Sequence, residues 1–417
     1  MILKIAFRNI LRHKRRTILS AITIAFGIAV FIYMDSMLAG IDRMTIDNMI
    51  SYSTSAMQIH TKEYEKEKNS FPLNYGITSE LLGWLQDYLT KNPDVNGFTL
   101  RTKFLGQLSN YVESIPVYCI IIDPKTDSSV FRFSGCLKGS YFKQSDFKEI
   151  IIGKNLAKEL NVDIGDYITL YGLTRYGAHN ADEFRIIGLI NSPDVVINNN
   201  SVFITYNSAN ELLELENLIT EIDVSVKKAS NLKLYSNKVR KIQKEIQEKF
   251  SSLKVNTFLE IGAGIFEITS AKRIGGFVIL LIILIIAVVG IFNTVFMSVC
   301  ERVREIGVLR AHGMKPSQIL NMFLLESIFT GIFGSLLGIF IGAILNFFLV
   351  TKGIPIEKLG GKMTTNMLGI SGNLYGEWNF LAMIIVALVS VFIAIIAGII
   401  PAIKASKIQV KDALRFN

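Results

Sequence analysis

Four stretches of the sequence are almost entirely apolar, and each is long enough to cross a lipid bilayer as a helix. They cover residues 18–40, 275–298, 319–350 and 380–400. A spanning helix needs about 20 apolar residues. The run FVILLIILIIAVVGIF at 277–292 has no polar face of the kind a buried helix of a soluble protein would show. The pattern therefore predicts an α-helical membrane protein with four transmembrane helices.

Residues 41–274, between the first two stretches, mix strand-like and helix-like patterns instead. Residues 77–91 place apolar positions at helical spacing, whereas 115–123 and 201–206 are typical of strands. Residues 221–258 predict a strand, a charged amphipathic helix and a second strand, the split βαβ arrangement of a ferredoxin-like subdomain. This segment is long enough to build its own hydrophobic core, so we expect a large α+β domain.

The first apolar stretch does not end like a cleaved signal peptide. Its apolar run is too long for the hydrophobic region of such a peptide, so we expect a signal anchor that stays in the membrane. Apolar residues then continue at near-helical spacing through Met37, Ile41, Met44 and Met49. This pattern predicts either a rigid stalk that prolongs the span or an ordinary amphipathic linker helix.

The distribution of charge predicts how the helices are oriented. The N-terminus (1–17), the loop 299–318 and the tail (401–417) together hold 14 basic and 3 acidic residues, whereas 41–273 holds 27 and 28. Because basic loops remain on the cytoplasmic side, both termini and the 299–318 loop are predicted to be cytoplasmic. The 41–274 domain and the loop 351–379 are then extracytoplasmic. The formal charge of +9 is thus a topology signal, and it argues against nucleic-acid binding.

Motifs for catalysis, nucleotide binding and metal binding are missing from the sequence. Gly153-Lys154-Asn155 resembles the end of a phosphate-binding loop, but no glycine stands five residues earlier and Asn155 replaces the usual Ser or Thr. The histidines are scattered, and the cysteines have no metal-binding spacing, although Cys119 and Cys136 could pair. We expect no catalytic residue, metal or cofactor on this chain, so any ATP must be hydrolysed by another chain.

The third apolar stretch carries a regular series of small residues. Gly334, Gly338 and Gly342 are four residues apart and lie on one helical face, a pattern that lets two membrane helices approach closely. The alternative is that glycine is simply common in membrane helices. Glu326 lies within the same stretch, where a carboxylate needs a partner or must reach the interface.

The loop between the second and third stretches has the pattern of a short amphipathic helix. Its sequence, SVCERVREIGVLRAHGMKPSQILNMFLLES (298–327), places Ile306, Val308 and Leu309 between charges, Gly313 where one helix can end and Pro316 where the next can begin. Such a helix suits the groove of a soluble partner protein. The alternative is a simple connecting loop.

This segment resembles the E/S-R-x-R-E-I-G-x-L-R-A-x-G-x-x-x-x-Q-I coupling segment of MacB/FtsX/Lol-type ABC transporter permeases. Three further segments resemble the same family: KIAFRNILRHKRRTILSAITIAFGIAV at the N-terminus, IIIGKNLAKELNVDIGDYITL in the external domain, and the tail PAIKASKIQVKDALRFN. In the tail, Val410 stands where proline is usual. The resemblance implies the MacB-like permease fold and these ATPase-coupling residues: Glu301, Arg302, Arg304, Glu305, Gly307, Leu309, Arg310, Gly313 and Gln318.

The resemblance also implies partners and a location. A permease of this type pairs with a second copy or a paralogue, and two cytoplasmic ABC ATPase subunits bind the ATP and Mg. Their closure would move the stalks and external domains and act on substrate outside the membrane, which is mechanotransmission. The implied location is the bacterial inner membrane.

Chain length, four spans and the size of the external domain best match the lipoprotein-releasing (LolC/LolE) permeases. That branch implies a lipoprotein substrate, a periplasmic carrier and delivery to the outer membrane. The substrate would enter an apolar cavity between the first two spans of facing subunits, although the same residues could only pack helices or touch lipid. The candidate cavity residues are Ile28, Phe31, Ile32, Met34, Phe277, Leu280 and Leu281.

One departure keeps other branches open. In the carrier-recruiting Lol permease, a long hook containing proline lies between two strands, where this chain has only Leu173–Glu183 and no proline. Without the hook, we expect the chain to be either the non-recruiting partner of a heterodimer or the permease of a system with a single permease. The alternatives are a MacB-type efflux permease and an FtsX-like mechanotransmitter that regulates an extracellular hydrolase.

Overall fold

The computed structural model describes residues 2–12, 14–143, 148–229, 231–355 and 373–410. Most of the predicted loop 351–379 and the end of the predicted tail, 411–417, lie outside the described residues. The chain divides into a helical unit and an α+β unit. The helical unit comprises Met1–Arg43, Ile268–Pro355 and Asn373–Asn417, and the α+β unit comprises Met44–Glu267 and Ile356–Gly372.

Helices and strands are numbered in chain order. The α-helices are α1 (Ile2–Arg12), α2 (Lys14–Asn48), α3 (Lys62–Glu67), α4 (Ser79–Lys91), α5 (Pro124–Val130), α6 (Lys154–Glu159), α7 (Val195–Asn200), α8 (Tyr206–Leu213), α9 (Leu232–Lys249), α10 (Phe258–Ile261), α11 (Ala263–Glu301), α12 (Val303–Ala311), α13 (Pro316–Lys352) and α14 (Phe380–Lys407). The strands are β1 (Met57–Thr61), β2 (Val95–Ser109), β3 (Ser114–Ile122), β4 (Leu137–Gly139), β5 (Glu149–Gly153), β6 (Tyr167–Leu173), β7 (His179–Ile190), β8 (Ser201–Thr205), β9 (Glu221–Val226), β10 (Leu253–Thr257), β11 (Ile354–Pro355) and β12 (Asn373–Leu374).

Four helical segments in the described residues are long and apolar enough to cross a membrane, which confirms the four predicted transmembrane helices. They are Thr17–Thr54, Ile274–Glu301, Pro316–Lys352 and Phe380–Lys407. The helices extend beyond the apolar stretches. Helix α2 runs unbroken from Lys14 to Asn48 and continues in a π-helical turn, Met49–Thr54. Helix α11 begins at Ala263, upstream of the predicted span.

An apolar core in the helical unit is formed by residues of α1, α2, α11, α12, α13 and α14. Its buried members include Ala6, Ile24, Ile28, Ile32, Ile291, Val295, Ile306, Ile319, Phe323, Val386 and Ala394. Helices α13 and α14 contain the long apolar runs that the sequence predicts, and their small residues allow close contact. Gly331 of α13, for example, faces Ala394 of α14, and an added Cβ there would lie 2.8 Å from the Ala394 side chain.

One part of the α+β unit is a ferredoxin-like sheet with the strand order β10-β1-β9-β2. Strands β9 and β10 both pair antiparallel with β1, so the β9–α9–β10 unit is split by β1, as predicted. Helix α9 begins at a cap, where the Asn231 side chain accepts from the Leu234 N–H at 2.8 Å. It buries Tyr235, Val239 and Ile246 because they recur at helical spacing.

The second part of this unit is a closed barrel, which the sequence patterns do not predict. Strand β2 is long enough to leave β9 and pair with β6 at its other end, so β2, β3, β8, β5, β7 and β6 close on themselves. Phe104, Val117, Ile152, Leu170 and Phe184 are buried in one core cluster with other strand and helix residues. Closure removes free sheet edges along these strands.

A buried ionic cluster lies where β2 passes from the ferredoxin-like sheet to the barrel. Arg101 lies 2.7 Å from Asp127, and Lys103 lies 2.7 Å from Glu221. Although burial acts to raise the pKa of Glu221, Lys103 and His60 lower that pKa to about 2. Burial also lowers the pKa of the His60 imidazole. Because each buried charge has an opposite charge beside it, the cluster ties β2 to β9 and α5.

The possible disulfide between Cys119 and Cys136 is not formed. The structure has all three cysteines free. Cys119 is buried in the barrel core, and Cys136 donates to the Tyr52 hydroxyl at 3.5 Å.

Candidate functional site

The loop predicted to couple the membrane helices to an ATPase contains a distinct helix, α12. Arg302 separates it from α11, and Gly313 ends the connection on its other side. Gly313 has φ +90, a left-handed conformation that glycine adopts without strain. Pro316 is then the first residue of α13, as predicted.

One face of α12 is exposed and mostly polar. It carries Arg304, Glu305, Val308, Ala311 and His312, which recur at helical spacing. The apolar surface differs from the prediction. Ile306 is 1% exposed and packs in the chain's own core, Leu309 is half-buried, and Val308 is the large apolar side chain on the exposed face, at 43%. We call these five residues the α12 face.

Glu326 has the partner that a carboxylate in an apolar helix needs. Its Oε1 accepts from Arg302 Nη1 at 2.9 Å and from Asn9 Nδ2 at 2.8 Å. Arg302 Nε also donates to Glu305 at 3.0 Å, and Glu305 lies 3.3 Å from the exposed Arg12. This Glu326 cluster therefore joins α1, the end of α11, α12 and α13.

Two further residues of the coupling segment, Arg310 and Gln318, form hydrogen bonds with the backbone of this chain. Arg310 Nη1 donates to the Ile408 carbonyl at 2.6 Å, so it satisfies a free carbonyl at the end of α14. Gln318 accepts from the Lys315 N–H at 2.9 Å and caps α13. Gly307 is buried, whereas Glu301, Arg304 and Glu305 are exposed. Their roles in coupling remain predictions.

The glycine series of α13 faces α2 of the same chain. A Cβ at Gly334 would lie 2.7 Å from Ile24 Cβ, and one at Gly338 would lie 2.7 Å from Ile28 Cβ. At Gly342 the nearest atom is Ile32 Cδ1, at 2.9 Å. These distances leave no room for a side chain, so the series is a contact surface between α2 and α13.

A cavity of about 230 Å³ lies between α2 and the N-terminal part of α11. Its lining is mostly apolar and consists of Phe31, Met34, Asp35, Leu38, Ala39, Gly276, Phe277, Ile279, Ile283 and Asn379. The cavity is open on the α11 side, where Phe277 is 62% exposed and Ile279 is 42% exposed. We call it the α2–α11 cavity.

The predicted cavity residues are divided between two surfaces. Phe31, Met34 and Phe277 line the α2–α11 cavity. Ile28 and Ile32 do not, because they pack against the glycines of α13. Leu281 is exposed but does not belong to the lining, and the side chain of Leu280 lies outside the described part of the structure.

Sequence reasoning missed the polar groups of the cavity and of the Glu326 cluster. Asn379 Nδ2 donates to Asp35 Oδ2 at 3.0 Å in the cavity wall. Asn9, Asn379 and Arg12 lie far along the chain from their partners. The available signals were the two acids, Asp35 and Glu326, within otherwise apolar helices.

Two protein families match this chain in adjoining regions. The MacB-like periplasmic core domain family matches residues 17–242. The FtsX-like permease C-terminal family matches residues 277–410. Together these regions contain the barrel, most of the ferredoxin-like sheet, the lining of the α2–α11 cavity except Gly276, and the α12 face.

The chain is also similar to individual ABC permeases at low identity. An uncharacterized ABC transporter permease of Methanocaldococcus jannaschii is 24% identical over 434 residues, which cover 99% of this chain and 97% of the relative. The lipoprotein-releasing system transmembrane protein LolC of Neisseria meningitidis is 22% identical over 64% of this chain and 65% of its own length. The macrolide export ATP-binding/permease protein MacB of Campylobacter jejuni is 24% identical over 99% of this chain and 60% of its own length.

Proposed function

The chain belongs to the ABC transporter permeases that combine a MacB-like periplasmic core domain with an FtsX-like permease C-terminal domain, and from this premise we propose that it extracts lipoproteins from the membrane. It would act as the membrane subunit of a complex with two separate ATPase chains, which bind ATP and Mg, and with a second permease. The similarity to LolC over 64% of this chain supports the lipoprotein assignment.

The observation that carries this proposal is the open α2–α11 cavity. Its walls are apolar at Phe31, Met34 and Phe277, and it opens along α11 rather than being enclosed. An acyl chain that enters such a slot leaves lipid for protein without exposing its surface to water, so little hydrophobic free energy is lost. If α2 and α11 then approach each other, the cavity narrows and the acyl chain is expelled.

Motion would reach the cavity from the α12 face. An ATPase that docks on Arg304, Glu305 and Val308 would push α12, and the Glu326 cluster would pass the movement to α11 and α13 through Arg302. Because α11 also forms one wall of the cavity, its displacement would change the width of the slot.

Photo-crosslinking tests the lipoprotein proposal directly. A photoreactive amino acid at Phe31 should capture lipoproteins in cells, more in the nucleotide-free complex than after ATP binding. The same amino acid at Ile332, which is exposed on α13 away from the cavity lining, is the control. Depletion of the chain should strand lipoproteins in the inner membrane. Equal capture at both positions, with normal lipoprotein sorting, would reject the proposal.

The docking of an ATPase has its own test. Val308→Asp places a charge on the α12 face in the proposed apolar contact and should weaken the complex by about 2–3 kcal/mol, while the chain still inserts into the membrane. Val196→Asp is a matched control, because Val196 is similarly exposed but lies in the α+β unit. Copurification of ATPase and ATP hydrolysis should fall only in the first variant. Unchanged copurification would argue against docking on α12.

A MacB-type efflux permease is the second candidate, and one observation favours it. Strands β6 and β7 are joined by a tight turn, in which the Thr174 N–H donates to the Ala178 carbonyl at 2.8 Å. A turn of this size leaves no room for the hook with which a carrier would be recruited. If depletion leaves lipoprotein sorting intact but sensitises cells to amphiphilic drugs, the efflux function is favoured. A copurifying extracellular hydrolase would instead favour an FtsX-like regulator.

The proposed location is the cytoplasmic membrane, with both termini and the α12 face on the cytoplasmic side. A cysteine at Asn210 should then react with an impermeant thiol reagent in spheroplasts, whereas one at Ser317 should not. Both positions are exposed, so accessibility within the fold does not bias the result. The two native cysteines that are not buried, Cys136 and Cys300, are replaced by Ser in both variants. Reversed labelling would overturn the topology.

A further inference from the structure

Asp35 is the one acid among the described residues that line the α2–α11 cavity, and the other lining residues are apolar except for Asn379. It lines the α2–α11 cavity beside Phe31 and Met34, and its carboxylate accepts a hydrogen bond from Asn379. Among the described residues, no Lys or Arg forms an ion pair with it. Ionisable residues within membrane helices are costly and usually have a partner or a function. A cationic ligand would supply the partner that this carboxylate lacks in the described part of the chain.

A second observation points the same way. Next to Asp35, the Ser36 hydroxyl is 2% exposed and Asn346 is 1% exposed. Neither Ser36 Oγ nor Asn346 Oδ1 has a hydrogen-bond partner within the described structure. Both residues line a small closed space with Asp35, Asn379 and Glu377, and this space has no room for a further atom. Buried polar atoms are normally paired, so these unpaired oxygens mark a polar region beside Asp35, and a ligand's donor would reach Asp35 itself from the α2–α11 cavity.

We propose that the α2–α11 cavity binds amphiphiles whose primary ammonium group lies directly beside the hydrocarbon. The tail would lie along Phe31 and Phe277, and the ammonium would pair with Asp35. This inference rests on the proposed function and adds the chemistry of the substrate head. Two sources carry that chemistry: a diacylated lipoprotein with a free α-amino group, and a small cationic amphiphile such as dodecylamine.

The site should bind a ligand with a free amine more tightly than the same ligand with an N-acylated amine. An ammonium donates several charge-assisted hydrogen bonds to a carboxylate, whereas an N-acylated amine is neutral and keeps at most one N–H donor. Hydrogen bonds to charged groups are strong enough to change affinity by about tenfold or more. A fully acylated lipoprotein anchor would therefore bind more weakly than its counterpart with a free amine.

The test uses the full chain with its ATPase in nanodiscs of phosphatidylcholine, a lipid without net charge that does not concentrate cations. Two photoreactive diacylated lipopeptides are compared, one with a free α-amine and one N-acetylated. Wild type should capture the amine about tenfold more efficiently. Asp35→Asn should abolish this preference, and Asp35→Glu should retain most of it.

Asp47→Asn is the matched control. Asp47 is an acid on the same helix, but it is exposed and does not line the α2–α11 cavity. This variant should keep the wild-type preference. Equal capture of both lipopeptides by wild type, or an equal loss of preference in Asp47→Asn, would overturn the inference.

A competition experiment distinguishes a lipoprotein ligand from a small cationic amphiphile, and it separates failure of the ammonium site from failure of the lipoprotein function. Dodecylamine and the unlabelled diacylated lipopeptide are each added against the photoreactive amine. Competition by either supports the ammonium site, and competition by the lipopeptide alone identifies the lipoprotein. If the two lipopeptides crosslink equally to the α2–α11 cavity of the wild type, the ammonium site at Asp35 is rejected but the lipoprotein function stands. If neither is captured, both fail.

Discussion

The two sides of helix α2 are packed in opposite ways. On one side, Ile24, Ile28 and Ile32 lie against glycines of α13, with no space for another side chain. On the other side, Phe31 and Met34 face α11 across an open cavity of about 230 Å³. One helix thus belongs both to a close-packed contact and to a gap.

This difference indicates which helices can move. Close-packed contacts between glycine and branched side chains have few alternative arrangements, so α2 and α13 should move as one body. The N-terminal half of helix α11 forms one wall of the α2–α11 cavity. Its C-terminal half is held by Ile291 and Val295 in the core, by a 2.7 Å hydrogen bond between Ser20 and Thr294, and by Arg302. We therefore expect α11 to pivot near its C-terminal end.

Removing the anchor of α11 should have the largest effect. Arg302→Met leaves Glu326 buried without its charged partner, because the two side chains are only 5% and 12% exposed. We expect a loss of about 3–5 kcal/mol in the free energy of unfolding, seen as a lower thermal midpoint in detergent. Arg12→Gln breaks an exposed pair with Glu305 and should cost at most about 1 kcal/mol. Equal costs would mean that the Glu326 cluster is not an anchor.

Crowding the close-packed side of α2 should have an intermediate effect. Gly338→Ala places a Cβ 2.7 Å from Ile28 Cβ and 2.9 Å from the Ala25 carbonyl, so α2 and α13 must separate. We expect a cost of about 1–3 kcal/mol by the same measurement. Gly290→Ala on α11 is the matched control, since its Cβ would lie 3.8 Å from Thr23, an ordinary contact. If Gly290→Ala lowered the free energy of unfolding as much as Gly338→Ala, the two sides of α2 would not differ in packing.

Loss of one hydrogen bond between α2 and α11 should have the smallest effect. Ser20→Ala removes the donor to Thr294, and we expect a cost of about 1 kcal/mol. Ser335→Ala serves as control, because among the described residues the Ser335 hydroxyl bonds to Ile332 of its own helix, at 2.9 Å, and to no other helix. A larger cost for Ser335 would show that the α2–α11 contact at Ser20 contributes little.

The sequence predicts features that depend on neighbouring residues. The four spans follow from unbroken apolar runs, and the β9–α9–β10 unit follows from a change of period within residues 221–258. The end of α12 and the start of α13 follow from Gly313 and Pro316. Each of these signals lies within the element that it specifies.

Features that depend on distant pairing are not predicted. The barrel requires one end of β2 to pair with β6, and nothing in β2 marks that partner. The Glu326 cluster joins residues 24 and 317 positions apart. The division of the predicted cavity residues has the same cause. Ile28 and Ile32 share one face of α2 and Phe31 another, but the face that meets α13 depends on the position of the glycines in three dimensions.

The distance between α2 and α11 during the ATPase cycle tests the account most directly. Spin labels at Phe31 and Phe277 report the cavity, and labels at Phe31 and Phe340 of α13 report the close-packed pair. In the full complex, ATP binding should shorten the first distance by several ångströms, about a side-chain width, and leave the second unchanged. An unchanged first distance, or an equal change in both, would contradict the account.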